Sequence, residues 1–596
     1  MRYADLCGLY DALASTTKRL EKTRALQIFL QTTPKESLRH AIYLCQGTVF
    51  ASHEKEKIGV ADRLILKALS IATGAEESEL EKSWKEIGDL GEVARSTIQK
   101  KRQSTLFSQP LTIEKVFDNI KRLVTMEGEG SVEKKLSLIA ELLTSGSSNE
   151  AKYVIRTILG DLRLGVGDGV LRDAITWAFL YPDVPYNTEK NVLDLGEECR
   201  KKYDAIIEEV QSAYDILNDF ADVAQRLRDR GSEGLRNMPI HVGRPLKVML
   251  FQKADSVADA KKQVGAPCAF EYKYDGFRLQ IHKNGDTVAL FTRRLEDVTA
   301  QFPDIVGVVQ RYVTAKQCII DAEAVGIDPE SGKYRAFQEI SQRIKRRYNI
   351  DEIAQRFPVE IAVFDIIAKD GRDLLTMPFG ERRKILETIV PLIPRAMAPS
   401  KMFITDNESA AQAFYQSSLD AGNEGVMAKS ISAPYKPGSR VGFGVKVKPV
   451  MDALDLVIVG GEWGEGKRAG WITSFTVACK DDDTLKEIGR VGTGIKEKSE
   501  EGVSFEELTN LLRPHIVGES GRQVTIKPEI IIEVHYEEIQ VSPTYASGFA
   551  LRFPRFVRLR DDKSLDDVST LSQVQDLYDD QRGRNANIDD ASDGLV

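Results

Sequence analysis

The sequence has few of the residues that build metal sites and disulfide frameworks. Its six cysteines lie far apart without paired spacing, and its six histidines form no metal-ligand pattern. This argues against a zinc site or a set of disulfides and predicts reduced, buried thiols. No apolar run approaches the roughly 20 residues that a membrane-spanning helix needs. The N-terminal residues also lack the basic and apolar segments of a leader, so we expect a cytoplasmic protein that does not bind membranes.

The chain also lacks an excess of basic charge. Its net charge is −8, which by itself argues against nucleic acid binding, because a basic domain is the usual footprint. Binding depends, however, on where the basic groups lie. Several aspartates follow Thr570 and offset basic surface elsewhere in the chain.

A chain of 596 residues is too long to fold around a single hydrophobic core, so its length predicts two to four domains. Residues 1–235 repeat apolar side chains every three or four positions, which predicts helices. Residues 236–449 alternate short β-rich runs with helical ones, which is typical of an α/β domain. Residues 450–596 predict a small β-barrel that ends in an acidic tail.

The segment EYKYDGFR raises the question of whether Lys273 is a nucleophile. Alternation places Glu271, Lys273 and Asp275 on one face of an extended segment, and Gly276 lets the backbone approach a ligand closely. A lysine amine attacks only when deprotonated, which neighbouring cations or a metal favour. Taken alone, K-x-D-G favours an edge-strand lysine balanced by two carboxylates, because matches of four residues are common.

Further motifs accompany this lysine in order along the chain. DAEAVG contains Glu323, VFDII contains Phe364, and EGVMAKS begins with Glu424. Carboxylates at separate strand ends can hold Mg²⁺, which bridges carboxylates to phosphates. An aromatic ring can stack on a purine, and the alternating lysines of KVKP can hold a triphosphate. Each motif alone has a plain alternative: a surface carboxylate, a core aromatic or a solvated strand face.

In this order and spacing, the motifs resemble those of the nucleotidyltransferase superfamily of DNA ligases, RNA ligases and capping enzymes. KYDG, TRRLEDVT, DAEAV, VFDII, EGVMAKS and KVKP match its successive motifs. The closer resemblance is to archaeal ATP-dependent DNA ligases and runs nearly end to end. RTILGDLRLGVGDGVLRDAI is similar to their DNA-binding domain, and SGFALRFPRFVRLRDDK is similar to their last motif.

The resemblance implies a multidomain fold: an all-α DNA-binding domain, an α/β nucleotidyltransferase (adenylation) domain and a β-barrel OB-fold domain. It implies a DNA ligase that uses ATP with Mg²⁺ or Mn²⁺ and seals nicks in duplex DNA during replication, repair and recombination. The reaction would pass through a Lys273-AMP intermediate and a DNA-adenylate. We expect a nucleoid-associated monomer.

Residue roles carry over by motif. Lys273 would be catalytic, Glu271 would border the adenine, Phe364 would stack on it and Glu323 would meet the ribose. The expected phosphate contacts are Arg278, Arg293, Arg440, Lys446 and Lys448. Glu323 and Glu424 would hold the metal. Arg560 and Lys563 would face the triphosphate in the first step. Contacts to DNA are expected from Arg163, Gly165 and Gly167.

Two local features stand apart: one departs from the family pattern, and the other resembles a docking peptide. The family usually carries a tryptophan two residues before the first lysine of K-x-K-P, where this chain has Gly444; Phe443 is a candidate to replace it. The stretch KKRQSTLFSQP resembles a shortened peptide that docks on the sliding clamp, with Gln103 as a hook and Leu106 and Phe107 as an apolar plug. The alternative for this stretch is a basic interhelical loop.

Rival functions share parts of this pattern. A capping-type guanylyltransferase or an RNA ligase would share the lysine motif, but the helical N-terminal region and the RFPRFVRLRDDK ending favour a DNA ligase. NAD-dependent ligases also use K-x-D-G but carry a four-cysteine zinc module that is absent here; use of a second nucleotide stays open. A non-catalytic DNA-binding scaffold is the rival from another class.

Overall fold

The structure is a computed structural model that describes most of the chain. Outside the described residues are 52–53, 55–57, 101–109, 129, 237, 329–331, 333, 336–339, 341–342, 345–347, 450–452, 465–467, 469, 483, 498–501 and 582–596. Within the described part, no helix is both long and apolar enough to cross a membrane.

The first part of the chain is helical and packs around one large apolar core. Its helices are α1 (Tyr3–Ala14), α2 (Arg19–Thr32), α3 (Lys35–Cys45), α4 (Asp62–Thr73), α5 (Glu77–Ile87), α6 (Leu90–Lys100), α7 (Ile113–Thr125), α8 (Ser131–Ser145), α9 (Ser148–Leu159), α10 (Asp168–Phe179), α11 (Glu197–Leu217) and α12 (Phe220–Arg230). A small hairpin joins α10 to α11, with strands β1 (Tyr186–Asn187) and β2 (Val192–Leu193). Helical spacing of the apolar residues buries one face of most of these helices against this core, whereas α9 is buried on all sides from Glu150 to Ile158.

The middle of the chain combines strands with flanking helices. Its strands are β3 (Leu250–Ala254), β4 (Cys268–Lys273), β5 (Phe277–Asn284), β6 (Thr287–Thr292), β7 (Gln317–Ile327), β8 (Tyr334–Arg335), β9 (Val359–Lys369), β10 (Arg372–Asp373), β11 (Met397–Pro399), β12 (Met402–Thr405), β13 (Gly425–Ser430) and β14 (Arg440–Val447). Its helices are α13 (Val257–Val264), α14 (Pro303–Tyr312), α15 (Ile350–Arg356), α16 (Phe379–Ile389) and α17 (Glu408–Asp420).

These strands form two sheets. One has the order β10-β9-β7-β5-β6, with β8 beside β7 and β11 beside β9; the other has the order β12-β4-β13-β14-β3. Because β4 and β5 belong to different sheets, the turn between them carries the chain from one sheet to the other. A Cβ at Gly276 in this turn would lie 2.2 Å from the carbonyl oxygen of Ala324. Only glycine permits this approach of the turn to β7.

The last part of the chain is rich in strands. They are β15 (Leu454–Trp463), β16 (Ile472–Asp481), β17 (Thr484–Val491), β18 (Ile516–Ser520), β19 (Gln523–Ile526), β20 (Ile531–His535), β21 (Glu538–Val541), β22 (Phe549–Arg552) and β23 (Arg555–Leu559), with helices α18 (Phe505–Leu512) and α19 (Leu571–Asp580). Their apolar faces enclose a separate core. The start of the acidic tail is thus helical: α19 buries Val574 in that core.

The predicted fold class is confirmed. The chain runs from a helical region through a two-sheet α/β region to a strand-rich region, and the last of these is consistent with an OB-fold. The change from helices to strands occurs between Arg230 and Leu250, and the next change of sheet occurs between Val447 and Leu454.

Candidate active site

A cavity of about 1180 Å³ lies in the middle region, with walls from both of its sheets. The strand-rich C-terminal region contributes Glu537, Arg552 and Phe553 to its rim. The residues predicted to bind the nucleotide or the metal all line it: Glu271, Lys273, Arg278, Arg293, Glu323, Phe364, Glu424, Arg440, Lys446 and Lys448. The fold therefore gathers residues that are distant in the sequence around one chamber.

Lys273 is the last residue of β4 and points into this cavity. Its side chain is 22% exposed, and its Nζ contacts the carboxylate of Glu424. The backbone N–H of Glu424 also donates to the carbonyl oxygen of Lys273 at 2.8 Å. Because β4 lies between β12 and β13, Lys273 is not an edge-strand lysine facing bulk solvent.

A line of alternating charges runs from Lys273 across the cavity. Glu424 pairs with Lys273 and, at 2.8 Å, with Lys448, whose Nζ lies 3.1 Å from Glu537. Burial alone would raise the pKa of Glu424, but the two lysine cations hold it well below its usual range. Burial opposes the charge of Lys448, yet Glu424 and Glu537 raise its pKa. Burial and the Lys448 cation lower the pKa of Lys446.

Glu323 lies on β7 directly opposite Arg278 of β5. Its side chain is half-buried and makes no hydrogen bond or ion pair that the described residues reveal. Burial raises its pKa to about 8, although Lys273 and Arg278 act in the opposite direction. A carboxyl that is desolvated without a close partner is suited to an incoming cation or hydroxyl group.

Glu271 forms the centre of a polar cluster in the cavity wall. One carboxylate oxygen accepts hydrogen bonds from Arg383 Nη1 at 3.0 Å and Ser400 Oγ at 2.7 Å. The other contacts Lys429 Nζ, which lies 4.9 Å from the ring centre of Phe364. Sequence reasoning missed Arg383 and Ser400 because neither lies in a recognisable motif, whereas Lys429 lies within EGVMAKS.

The predicted phosphate-binding arginines differ in their availability. Arg278 is already held by Asp321 at 2.7 Å and by the carbonyl oxygen of Met249 at 2.7 Å. Its guanidinium also lies 5.3 Å from the ring of Phe364, so Arg278 helps to shape the wall. Arg293 and Arg440 are exposed at the cavity and are therefore accessible to a ligand.

Gly444 faces an aromatic ring rather than empty space. A Cβ at this position would lie 2.2 Å from Phe251 Cε1. Phe251 lines the cavity, and Phe443 is half-buried in the same apolar cluster. The ring of Phe251, contributed by the neighbouring strand β3, thus occupies the place into which a side chain at residue 444 would extend.

Arg560 and Lys563 lie outside the cavity lining in this arrangement. Arg560 binds Asp455 at 2.8 Å and Asp562 at 2.8 Å, and Lys563 binds Asp455 at 2.6 Å. The C-terminal region instead turns Glu537 and Phe553 toward the cavity, and Phe553 is 66% exposed. The two predicted cations are neutralised within their own domain.

The predicted DNA-contacting residues form the loop between α9 and α10. Arg163 has a left-handed backbone (φ 56°) and a half-exposed side chain that pairs with Asp161 at 2.7 Å. Gly165 is also left-handed (φ 60°), and Gly167 caps the N-terminus of α10. Asp168, the first residue of α10, lies 3.3 Å from Lys247, so the loop lies beside the junction with the middle region.

Two further predictions concern the clamp-docking stretch and the metal. Gln103, Leu106 and Phe107 lie outside the described residues. Among the described residues, no group of three or more His, Cys, Asp or Glu side chains could hold a metal ion. A metal at Glu323 and Glu424 would therefore need oxygen ligands from a substrate or from water.

Comparisons with known proteins agree over nearly the whole chain. Three family models match: DNA ligase N terminus over residues 2–176, ATP dependent DNA ligase domain over 248–448 and ATP dependent DNA ligase C terminal region over 468–563. A DNA ligase of Nanoarchaeum equitans is 44% identical over 587 residues, covering 98% of this chain and 99% of that protein. A DNA ligase of Thermococcus fumicolans is 42% identical over 580 residues, covering 97% of this chain and 98% of that protein.

A solved structure named Pmar-Lig_PreS3 has the same fold. It superimposes with a TM-score of 0.53 and 16% sequence identity, covering 93% of this chain and 99% of that one. The match therefore spans the helical, two-sheet and strand-rich regions together.

Proposed function

Because the chain belongs to the ATP-dependent DNA ligases, enzymes that seal nicks in duplex DNA, we propose that Lys273 is the residue that carries AMP. The observation that supports this most is the position of Lys273: its amine reaches a cavity lined by seven other cationic side chains of the middle domain and by two of its carboxylates, Glu323 and Glu424, that are predicted to bind metal. A surface lysine would lack that environment.

In the first step, Lys273 Nζ attacks the α-phosphorus of ATP. An N–P bond forms, the bond from the α-phosphorus to the bridging oxygen breaks, and pyrophosphate leaves. A lysine amine attacks only without its extra proton, so the contact between Lys273 and Glu424 has to open first. Lys446 and Lys448 stabilise the charge that develops on the phosphate oxygens, which is the main contribution of a protein to phosphoryl transfer.

The two later steps use the same chamber. The 5′-phosphate of the nick displaces Lys273 from AMP, and the neighbouring 3′-hydroxyl then displaces AMP and closes the strand. Each is a displacement at phosphorus, and the covalent intermediate divides one difficult condensation into easier ones. Glu271 and Phe364 hold the adenine throughout; Arg383 and Ser400 fix the carboxylate of Glu271.

Glu323 and Glu424 are the residues that would hold Mg²⁺ or Mn²⁺. Two observations support a metal at these residues. Glu323 is a desolvated carboxyl without a partner among the described residues, and the neighbouring lysines lower the pKa of Glu424, which keeps its carboxylate charged. When bound, the metal neutralises charge on phosphate oxygens. Two carboxylates with phosphate oxygens suit Mg²⁺, which retains waters and seldom occupies an all-protein cage.

The C-terminal domain takes part in the first step after a rotation. Arg560 and Lys563 leave Asp455 and turn toward the triphosphate, and the segment after Lys448 is the pivot. Hinge rotations of this kind exchange the face that a domain presents to a cleft. In the present arrangement Glu537 holds the other face in place through Lys448.

The remaining partner assignments belong to the same proposal. The loop that contains Arg163, Gly165 and Gly167 contacts DNA phosphates, which fix register without reading sequence. Residues 103–107 dock on a sliding clamp, and a pull-down that is unchanged by substitution of Leu106 and Phe107 to alanine would contradict this. The enzyme acts as a monomer at the nucleoid.

The test of Lys273 is covalent labelling. The protein is incubated with ATP and Mg²⁺, and the mass increase of one AMP is mapped to a peptide. Lys273→Arg should abolish the increase, whereas Lys253→Arg, at an exposed lysine on the edge strand β3 of the same sheet, should keep it. AMP on another residue, or undiminished nick sealing by Lys273→Arg, would overturn the assignment.

A further inference from the structure

Lys22 is a buried lysine that lies beneath the loop between α9 and α10. It belongs to α2, is 7% exposed, and its Nζ donates to the carbonyl oxygen of Leu164 and lies 3.4 Å from that of Gly165. The ammonium group is therefore bound to the backbone of the loop from the interior side. No motif drew attention to this residue, which lies in the periodic stretch KRLEKTRALQIFLQ.

The charge of Lys22 has no counterion among the described residues. None of the ion pairs of the described part of the chain includes it, and burial lowers its pKa. A buried ammonium without a carboxylate is costly to folding. Two carbonyl acceptors offset only part of that cost, so a contribution other than stability is expected of this side chain.

The contact determines which way the loop's peptide groups point. In a trans peptide the N–H points opposite to the C=O, and the only cis bond among the described residues is Ala266–Pro267. With the carbonyls of Leu164 and Gly165 turned inward to Lys22, the N–H groups of Gly165 and Val166 point away from it. Neither N–H has a hydrogen-bond partner in the described part of the chain.

Successive free N–H groups in a turn form a concave site for anions. The left-handed backbones of Arg163 and Gly165 produce the turn, and the N-terminus of α10 adds the positive end of its dipole. We propose that Lys22 is a positioning residue for DNA binding, which holds the carbonyl groups of Leu164 and Gly165 inward so that the loop presents its N–H groups to a phosphate. This rests on the proposed contact of the loop with DNA.

Gly165 is the matching half of this contact. A Cβ at that position would lie 2.8 Å from Lys22 Nζ, so a side chain would displace the ammonium from the carbonyl oxygens. Glycine at residue 165 and lysine at residue 22 therefore act as one unit. Substitutions at the two positions should affect DNA affinity non-additively.

The first experiment measures the affinity of the full-length protein for a nicked duplex. Lys22→Met, which keeps the apolar stem and removes the ammonium, should raise Kd about tenfold, the loss typical of a charge-assisted hydrogen bond. Its melting temperature should not fall, because a buried charge without a counterion has been removed. Lys283→Met is the matched control: Lys283 is equally buried and also donates to a backbone carbonyl, that of Val313, but lies in the middle domain.

The salt dependence separates positioning from direct contact. Loss of a cation that touches a phosphate lowers the slope of log Kd against log salt by about one, whereas Lys22→Met should leave the slope unchanged. The double variant Lys22→Met, Gly165→Ala should bind no more weakly than the poorer single variant. An unchanged Kd, a slope lower by one, an additive double variant, or an equal loss in Lys283→Met would each overturn the proposal.

A third variant tests the loop itself. Gly167 has open space where a Cβ would extend and is the N-cap of α10, where aspartate is well accommodated. Gly167→Asp should place a negative charge against the phosphate and weaken binding more than tenfold. If Gly167→Asp has no effect, the loop does not contact DNA, and both proposals fail. If it weakens binding while Lys22→Met does not, only the role of Lys22 is refuted.

Discussion

Glu323 links the stability of the adenylation domain to pH, and Glu323→Gln should remove that link. The folded protein holds this carboxyl at a pKa of about 8, compared with an ordinary value of 4.5, because burial disfavours its charged form. Between these values the unfolded chain has lost the proton that the folded chain keeps. Stability should therefore fall as pH rises from about 4.5 to 8, and then level off.

The magnitude follows from one proton. One pKa unit corresponds to about 1.4 kcal/mol, so the wild type should lose about 2 to 3 kcal/mol between pH 5.5 and pH 7.5 through this group. Glutamine is neutral at both values and loses nothing. For a domain of roughly 200 residues, 1 kcal/mol shifts the melting temperature by about 2–4 °C, so the variant should gain about 4–12 °C on the wild type over this range.

Calorimetry in the presence of a chelator measures the melting temperatures of the wild type and of Glu323→Gln at the two pH values. The adenylation domain is identified as the unfolding transition whose melting temperature rises when ATP is added. Glu352→Gln, an exposed glutamate on α15, is the control and should follow the wild type. Parallel pH profiles of the wild type and Glu323→Gln would refute the reasoning, since they would mean that Glu323 is ionised in the folded protein without a metal.

Three further outcomes are expected. Glu537→Gln removes a charge that binds Lys448 and should loosen the C-terminal domain. After ATP is added, the small-angle scattering profile should therefore change faster in this variant than in the wild type. An unchanged rate would contradict a restraining role for Glu537. Gly444→Ala forces the ring of Phe251 to move and should slow adenylation about tenfold. The second substitution Phe251→Ala should restore the rate, and a lack of rescue would contradict the packing argument. Affinity for nicked duplexes of unrelated sequence should be equal and should fall linearly with log salt, and a salt-independent Kd would rule out phosphate contacts.

The residues that the sequence singled out line one cavity because they lie in short motifs tied to strand ends. Strands fix side chains at regular positions, and the chemistry of phosphate and adenine restricts the residue types. Lys273 and Glu424 therefore appear in the structure as neighbours, as do Arg278 and Glu323, which are opposite each other across two strands. Periodicity likewise sufficed for the helical and strand-rich regions.

Contacts that depend on three-dimensional packing were not predictable. Arg383 comes from a helix with no distinctive pattern yet binds Glu271, and Phe251 comes from β3 to cover Gly444. Lys22 looks like any lysine of an amphipathic helix until the fold places its amine under a loop more than a hundred residues away. Such residues act through a neighbour, so no local pattern distinguishes them.

The proposed rotation of the C-terminal domain has a physical basis in charge. Glu537 and Arg560 lie on one domain but in different surroundings: Glu537 reaches Lys448 in the cavity, while Arg560 is neutralised by Asp455. A triphosphate in the cavity would compete with Glu537 for Lys448 and repel it, and the same negative charge would attract Arg560. Without ATP the cavity favours an acidic side chain of the C-terminal domain, and with ATP bound it favours a basic one. Binding of a single ligand can therefore drive the proposed rotation of the domain.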